Sequence, residues 1–359
     1  MGTRGIPNNY GGFEQFAQTI SLGLLRKGHE VSVYNSSNHP YKEKEWNGVQ
    51  IIHCKDWENK MGTFGQFFYD LNCIKDARKR NFDVLFHFGH SSDSFWWRRW
   101  PKNTVNIVNM DGLEWKRTKY NWFTRRFLKW AESLAAKNAD VLIADSPAIQ
   151  KHILERFNKT ANFIPYSATI FTNPDAGVLN KYQLKPGEYF MLMARMEPEN
   201  NIEMILEGYT ASKQPFPLLI IGDTSNRFGK YLSSRYRNSK IIFAGPVYDN
   251  ATLDNLRHYS LRYFHGHSVG GTNPSLLEAM ACNCNIAAHD NVFNNAVLGN
   301  DADYFINEKQ IGQLLNIKSD PHTNQSRQKR NIEKLRALYY PGKIIDQYEK
   351  LIIGSRADS

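Results

Sequence analysis

Short apolar runs rich in β-branched and aromatic residues recur along the chain, separated by longer stretches in which apolar positions return every three or four residues. The runs fall at residues 31–34, 49–53, 84–88, 105–108, 141–144 and 162–164. A polar stretch at 169–187, rich in Thr, Asn, Pro and Gly, interrupts them, and they resume at 189–194, 218–221, 241–244, 263–265, 285–288 and 303–306. Strands alternating with helices in two such sets predict an α/β protein with parallel, doubly wound sheets. The predicted domains are residues 1–170 and 185–340, each Rossmann-like and facing a shared cleft. A last helix near 342–353 carries Ile344, Ile345, Tyr348, Leu351 and Ile352 as a stripe that must pack on something, and segment 341–359 is expected to return to the first domain. The opening Gly2-Thr3-Arg4-Gly5-Ile6-Pro7 reads as the loop that a first strand would deliver. A weakened or rebuilt sheet centre is therefore expected in the first domain.

A length of 359 residues agrees with two cores rather than one. No apolar run approaches the roughly 20 residues that span a bilayer, and no signal peptide is evident, so a cytoplasmic protein is expected. Cys54, Cys73, Cys282 and Cys284 form no pair of CxxC motifs, which argues against a disulfide framework or a zinc site. The net charge of +10 asks for an anionic partner. Between Trp96 and Trp130, nine basic residues (Arg98, Arg99, Lys102, Lys116, Arg117, Lys119, Arg125, Arg126, Lys129) face two acids, Asp111 and Glu114. That window holds most of the excess.

The segment His265-Gly-His267-Ser-Val-Gly270-Gly271-Thr272-Asn273-Pro274-Ser275-Leu-Leu-Glu278-Ala-Met-Ala carries the clearest chemistry. A glycine-rich loop passes into a helix at Pro274, a residue suited to the first helical position because its missing N–H had no partner there. Free amides and the positive end of the helix favour a diphosphate without a metal, and Glu278, one turn further in, can accept ribose hydroxyls. An ordinary capped helix with a solvated Glu278 is the plain alternative.

This segment resembles the donor-binding signature of the retaining family 4 glycosyltransferases, two glutamates eight positions apart ending in Glu-Ala-Met-Ala. Glu278 matches the second glutamate, and the first falls on Gly270. The resemblance implies the GT-B architecture. It also implies that Arg195, in Arg195-Met-Glu-Pro-Glu199-Asn200-Asn201, contacts the donor diphosphate, with Asn200 where relatives have a lysine. An ion pair of Arg195 with Glu197 or Glu199 is the competing reading. The opening stretch through Tyr10-Gly11-Gly12-Phe13-Glu14 and the segment Asn109-Met-Asp111-Gly112-Leu-Glu114-Trp115-Lys116-Arg117 narrow the resemblance to a subgroup containing bacterial rhamnosyltransferases of capsule and cell-wall polysaccharide assembly.

The candidate site follows. Catalytic candidates are Asp111, Arg195 and His267, and donor-binding candidates are Arg195, Asn200, Gly270, Gly271, Thr272, Asn273, Pro274, Ser275 and Glu278. On the acceptor side stand Arg4, Tyr10, Gly11, Gly12, Glu14, His90 and Glu114. His87, His90, His265 and His267 read as hydrogen-bonding imidazoles at strand ends, and Asp301-Ala-Asp303 as a loop before a strand, so no metal and no cofactor are expected beyond the nucleotide sugar itself.

Trp96-Trp97-Arg98-Arg99-Trp100 and residues 116–130 combine indole rings with cations, as segments lying on anionic lipid do. The expected partners are a nucleotide sugar, a saccharide or polyprenyl-diphosphate-linked saccharide acceptor, and an anionic membrane surface at the inner face of the cell membrane. Nucleic acid is not expected, for want of a recognised motif. The expected activity is metal-independent hexosyl or deoxyhexosyl transfer, with dTDP-rhamnose as first donor, for surface polysaccharide assembly. A non-catalytic sugar-nucleotide or polyanion-binding protein on the same fold is the main alternative, and an epimerase or phosphorylase a third.

Overall fold

The structure, a computed structural model, describes residues 1–9, 11–110, 112–317 and 320–357. It separates into two compact units. The first comprises Met1–Trp115, Trp122–Tyr166 and Pro341–Ser359, the second Lys116–Asn121 and Ser167–Tyr340. Segment Lys116–Asn121, although it lies between two parts of the first unit in sequence, clusters with the second.

Strands of the first unit are β1 (Ser32–Ser36), β2 (Glu45–Trp46), β3 (Val49–Cys54), β4 (Val84–His87), β5 (Val105–Asn109), β6 (Val141–Ala144) and β7 (Asn162–Phe163). They form two sheets, ordered β1-β3-β2 and β4-β5-β6-β7, parallel throughout except that β2 runs antiparallel to β3. β2 had no signal in the sequence, as two residues are too few to show a period. Residues 1–6 bond to the ends of both sheets: Phe88 N–H donates to the Met1 carbonyl, Ser36 N–H to that of Arg4, and the Asn35 side chain clasps Ile6 through its N–H and C=O. The last helix, Pro341–Ala357, buries Ile344 and Tyr348 of its apolar stripe. Tyr348 lies edge-on to Phe16 of the helix Gly12–Arg26, and Lys27, which caps that helix, pairs with Asp346 and Glu349.

The second unit contains β8 (Phe190–Met193), β9 (Leu218–Ile221), β10 (Ile241–Gly245), β11 (Arg262–His265), β12 (Ile286–His289) and β13 (Asp303–Phe305) in one six-stranded, all-parallel sheet of order β10-β9-β8-β11-β12-β13. Counted within the unit this is 3-2-1-4-5-6, the doubly wound order whose direction reverses between its first and fourth strands. Continuous apolar strands such as Leu218–Ile221 are buried on both faces, as covered parallel strands require. Asn or Asp side chains cap helix starts here, at Asn226, Asp249, Asn273, Asn291, Asn307 and Asp320, each accepting from the first turn of amides.

Candidate functional site

In a doubly wound sheet the ligand crevice opens beyond the carboxyl ends of the two strands where the order reverses. In the second unit these are β8 and β11, and the two strongest motifs leave the sheet there, Arg195 after β8 and the glycine-rich loop after β11.

The two loops are laced together. Asn200, buried, donates its amide to the Arg195 carbonyl at 2.8 Å, and Asn201 donates to the Gly266 carbonyl at 2.7 Å. Ser268 donates both its N–H and its hydroxyl to the Glu199 carbonyl. Gly266 permits the closeness, because a Cβ there would lie 2.2 Å from the Asn200 carbonyl oxygen. Asn200, where family 4 glycosyltransferases carry a lysine, thus fixes the backbone of Arg195 with its amide. The Arg195 side chain itself is exposed and has no ion-pair partner among the described residues. Both carboxylates that could have neutralised it are occupied by segment Lys116–Asn121. Glu199 accepts from Arg117 at 3.4 Å and from Thr118 at 3.2 Å, and Glu197 from Lys119 at 3.3 Å.

Tyr263, His265 and His267 project from alternate positions of β11 and its extension. The rings of His265 and His267 stack with centroids 4.4 Å apart. Asn291 and Asn294 hold the His267 carbonyl at 3.1 Å each. Burial, then the charges of Arg195 and Arg117, push the His267 pKa down to about 3, so the ring is neutral at any working pH. Burial holds His265 well below its ordinary value too, and neither of its nitrogens has a hydrogen-bond partner among the described residues. The Tyr263 hydroxyl reaches the Ser275 hydroxyl at 2.6 Å.

Gly270 sits at φ +142°, a conformation open to glycine and strained for a glutamate, although nothing would obstruct a Cβ there. Gly271 follows, and Thr272 is buried. Asn273 caps the helix Pro274–Ala281 by accepting from the Ser275 amide, with Pro274 at the first helical position. Glu278, on the second turn, is about a quarter exposed, and its Oε2 accepts from Arg257 at 2.5 Å. Burial raises its carboxyl pKa, with the Arg257 charge opposing the rise. The sequence did not point to Arg257, Asn291 or Asn294, and it placed Arg117 only in the basic window and the segment 109–117, not beside Glu199. Only an arginine breaking the apolar stripe of Leu253 and Leu256 could have announced the first.

In the first unit, Arg4 forks onto Glu58, Nε to Oε2 at 3.0 Å and Nη2 to Oε1 at 2.5 Å, while the buried Glu14 accepts from the Arg4 amide. The Gly11 amide donates to Asn8, and Gly12 begins the helix Gly12–Arg26. His90 is buried, and Glu114 opens a short 3-10 turn. Tyr10 and Asp111 lie outside the described residues. Among the described residues no three His, Cys, Asp or Glu side chains converge as a metal ion would require.

With this geometry in hand, solved structures decide the architecture. Sucrose-phosphate synthase from Thermosynechococcus elongatus superposes with a TM-score of 0.79 at 16% identity, over 97% of this chain and 94% of that one. Anabaena Alr3699/HepE in complex with UDP and glucose gives 0.77 at 13% identity, covering 96% of each chain. A glycosyltransferase from Rickettsia africae ESF-5 gives 0.69 at 14% identity, over 99% of this chain and 98% of that one. The chain has the GT-B fold. A model of a domain of unknown function, DUF1972, matches residues 1–169. No curated protein matches the chain in sequence. On this GT-B chain, β8 and β11 are the switch-point strands of the second Rossmann-like unit, and Arg195 and the helix start at Pro274 follow their carboxyl ends.

Proposed function

We propose that this protein is a glycosyltransferase that binds a nucleotide diphosphate sugar in its second unit and transfers the sugar to a saccharide or lipid-linked saccharide acceptor. The observation that carries the reading is the pair of interlocked loops at the switch point, one presenting the unpaired Arg195 guanidinium and the other a capped helix start with Glu278 one turn behind. A guanidinium fork and helix amides suit a pyrophosphate and can stabilise the charge that grows on it as the bond to the sugar breaks. Alr3699/HepE has been solved with UDP, with UDP and glucose, and with UDP-glucose, which supports a nucleotide-sugar ligand for this fold.

The proposed reaction is retaining and needs neither metal nor cofactor. The bond from the anomeric carbon to the diphosphate oxygen breaks, the acceptor oxygen bonds to the same face, and the acceptor proton passes to the departing diphosphate. Arg195 stabilises that leaving group. His267, a neutral imidazole, hydrogen-bonds the transferred sugar, and Asp111 orients or stabilises the reacting centre. The transferred group is a hexosyl or deoxyhexosyl, best matched by rhamnosyl from dTDP-rhamnose, in bacterial surface polysaccharide assembly.

The acceptor is proposed to be reached from an anionic membrane surface. No helix among the described residues is long and apolar enough to cross a membrane. In the first unit, however, aromatic rings touch in series from Phe64 through Phe67 and Phe127 to Trp130 at centroid spacings of 5.6 to 5.9 Å. Phe95 joins the series at Phe67. Phe64, Trp122 and Phe123 are 70, 63 and 76% exposed, and Arg126 lies over the Trp122 ring. The basic window does not act as one surface: Trp100 is buried against His87, and Arg117 and Lys119 are committed to Glu199 and Glu197.

A thermal-shift panel of dTDP-, UDP- and GDP-sugars tests the donor, since a ligand at a hundred times its Kd adds about 2.7 kcal/mol of stability. Nucleoside diphosphate release that requires an acceptor, and persists in chelator, is the expected result. Binding without release would leave only the non-catalytic reading, and activity lost in chelator and restored by divalent ions would end the metal-independent one.

A further inference from the structure

Arg257, at the end of the helix Asn250–His258, is an arginine with almost no exposed surface, placed beneath the donor loop. Its Nη1 donates to Asp254 at 2.9 Å, its Nη2 to Glu278 Oε2 at 2.5 Å and to the Met193 sulfur at 3.1 Å, and its Nε has no partner among the described residues. Taking a guanidinium out of water is costly, and an apolar side chain would join two helices at less expense. What an apolar residue could not do is select which oxygen of Glu278 stays available. Oε2 is locked inward on the guanidinium, and Oε1, on a side chain about a quarter exposed, accepts no hydrogen bond among the described residues.

We propose that Arg257 is a positioning residue for the nucleotide, holding Glu278 ionised and oriented so that Oε1 accepts the ribose 3′-hydroxyl. This rests on the nucleotide-sugar reading above. The groups around the carboxylate are consistent with the role. Asp254 faces it from Arg257's own helix and Tyr263 from β11, while Cys282 and Cys284 lie against the guanidinium. Burial keeps the tyrosine and both thiols neutral, and Arg257 is the cation among them. Against its own burial, the neighbouring Glu278 charge keeps the guanidinium firmly protonated.

The test is calorimetric titration of the full chain with UDP, dTDP and GDP and with the 3′-deoxy counterpart of each. The wild type should bind its preferred nucleotide roughly tenfold or more tighter than the 3′-deoxy form, the size of a hydrogen bond to a charged group. In Arg257→Met the parent nucleotide should weaken to the level of its 3′-deoxy form while the latter changes less than about twofold. Arg257→Lys should restore part of the preference. A guanidinium that only staples two helices would weaken both ligands equally, so an unchanged ratio in Arg257→Met overturns the proposal. The wild type gives a check that needs no substitution: its 3′-hydroxyl preference should fade on acidification as Glu278 takes a proton, and a preference independent of pH between 8 and 4.5 overturns it too. Failure of the wild type to bind any of the three nucleotides sinks the donor reading itself, a result distinct from a preserved ratio.

Discussion

The second unit hides its charges, whereas the first displays its rings. Around the donor loop, Arg257 is buried with two carboxylates for partners, Glu199 is shared among Arg117, Thr118 and Ser268, and amide side chains pin one loop to the other. Charged groups held this way are costly to bury but lose almost no freedom when a ligand arrives, which is what the proposed site for a diphosphate and ribose would need. On the first unit, Phe64, Trp122 and Phe123 stand in solvent, with Arg126 over the Trp122 ring. Such a face pays nothing for specificity and suits a fluid partner that needs contact area and opposite charge. The contrast teaches that a basic residue's neighbours, rather than its place in a basic window, decide its use. Arg117 and Arg126 stand nine positions apart, and one pairs with the buried Glu199 while the other lies over an exposed indole.

The largest expected effect lies in the second unit. Arg195→Ala should lower acceptor-dependent release of nucleoside diphosphate by about 3 kcal/mol of barrier, the scale of a lost oxyanion stabiliser. An unchanged kcat/KM would remove Arg195 from the site. Glu278→Gln should follow at about 2 kcal/mol of nucleotide affinity, read by calorimetry, with the loss confined to ligands that carry the 3′-hydroxyl. On the other side, replacing Trp122 and Phe123 together by serine should weaken sedimentation with anionic phospholipid vesicles by about 2 kcal/mol. The thermal shift given by nucleotide sugars should stay as in the wild type. If vesicle binding persists, or if nucleotide binding falls with it, the division of labour between the units is wrong.

The strand pattern was legible because buried parallel strands are apolar along their whole length: the runs at 189–194, 218–221 and 263–265 coincide with β8, β9 and β11. The glycine-rich loop and its helix start were legible because proline, asparagine and glycine are chosen there by local backbone needs, a cap at Asn273 and a positive φ at Gly270. Pairings between distant segments were not. Nothing local in Arg4 announces Glu58, and nothing in Lys116–Asn121 announces that it joins the second unit, because these contacts depend on where the chain returns. Asn200 shows the same limit from the other direction. Its type excluded a cation, but only its 2.8 Å bond to the Arg195 carbonyl shows what it does instead.

Two smaller effects sharpen the comparison from within the buried side. Gly270→Glu would place a glutamate where family 4 glycosyltransferases carry their first one, yet it should weaken donor binding by about 1 to 2 kcal/mol, because the side chain arrives on a backbone at φ +142° that it does not tolerate. Improved binding would mean that the loop relaxes to admit it.

His265 provides the subtlest reading. Both it and His267 have folded pKa values below the ordinary 6.5, so above pH 6.5 neither contributes to the pH dependence of stability. Below pH 6.5 the unfolded chain takes up protons that the fold refuses, and stability is lost as the pH falls. Other groups shift the absolute curve, among them Asp70, whose pKa burial raises well above its usual value and whose slope is opposite. Those terms cancel when a variant is subtracted from the wild type. His265→Leu removes one refused proton and two unpartnered nitrogens, so the wild type should lose about 1 kcal/mol relative to the variant on going from pH 8 to pH 6, followed by urea denaturation. A difference that stays constant with pH would mean that His265 gains a proton in the folded state, and the neutral imidazole column behind the donor loop would have to be abandoned.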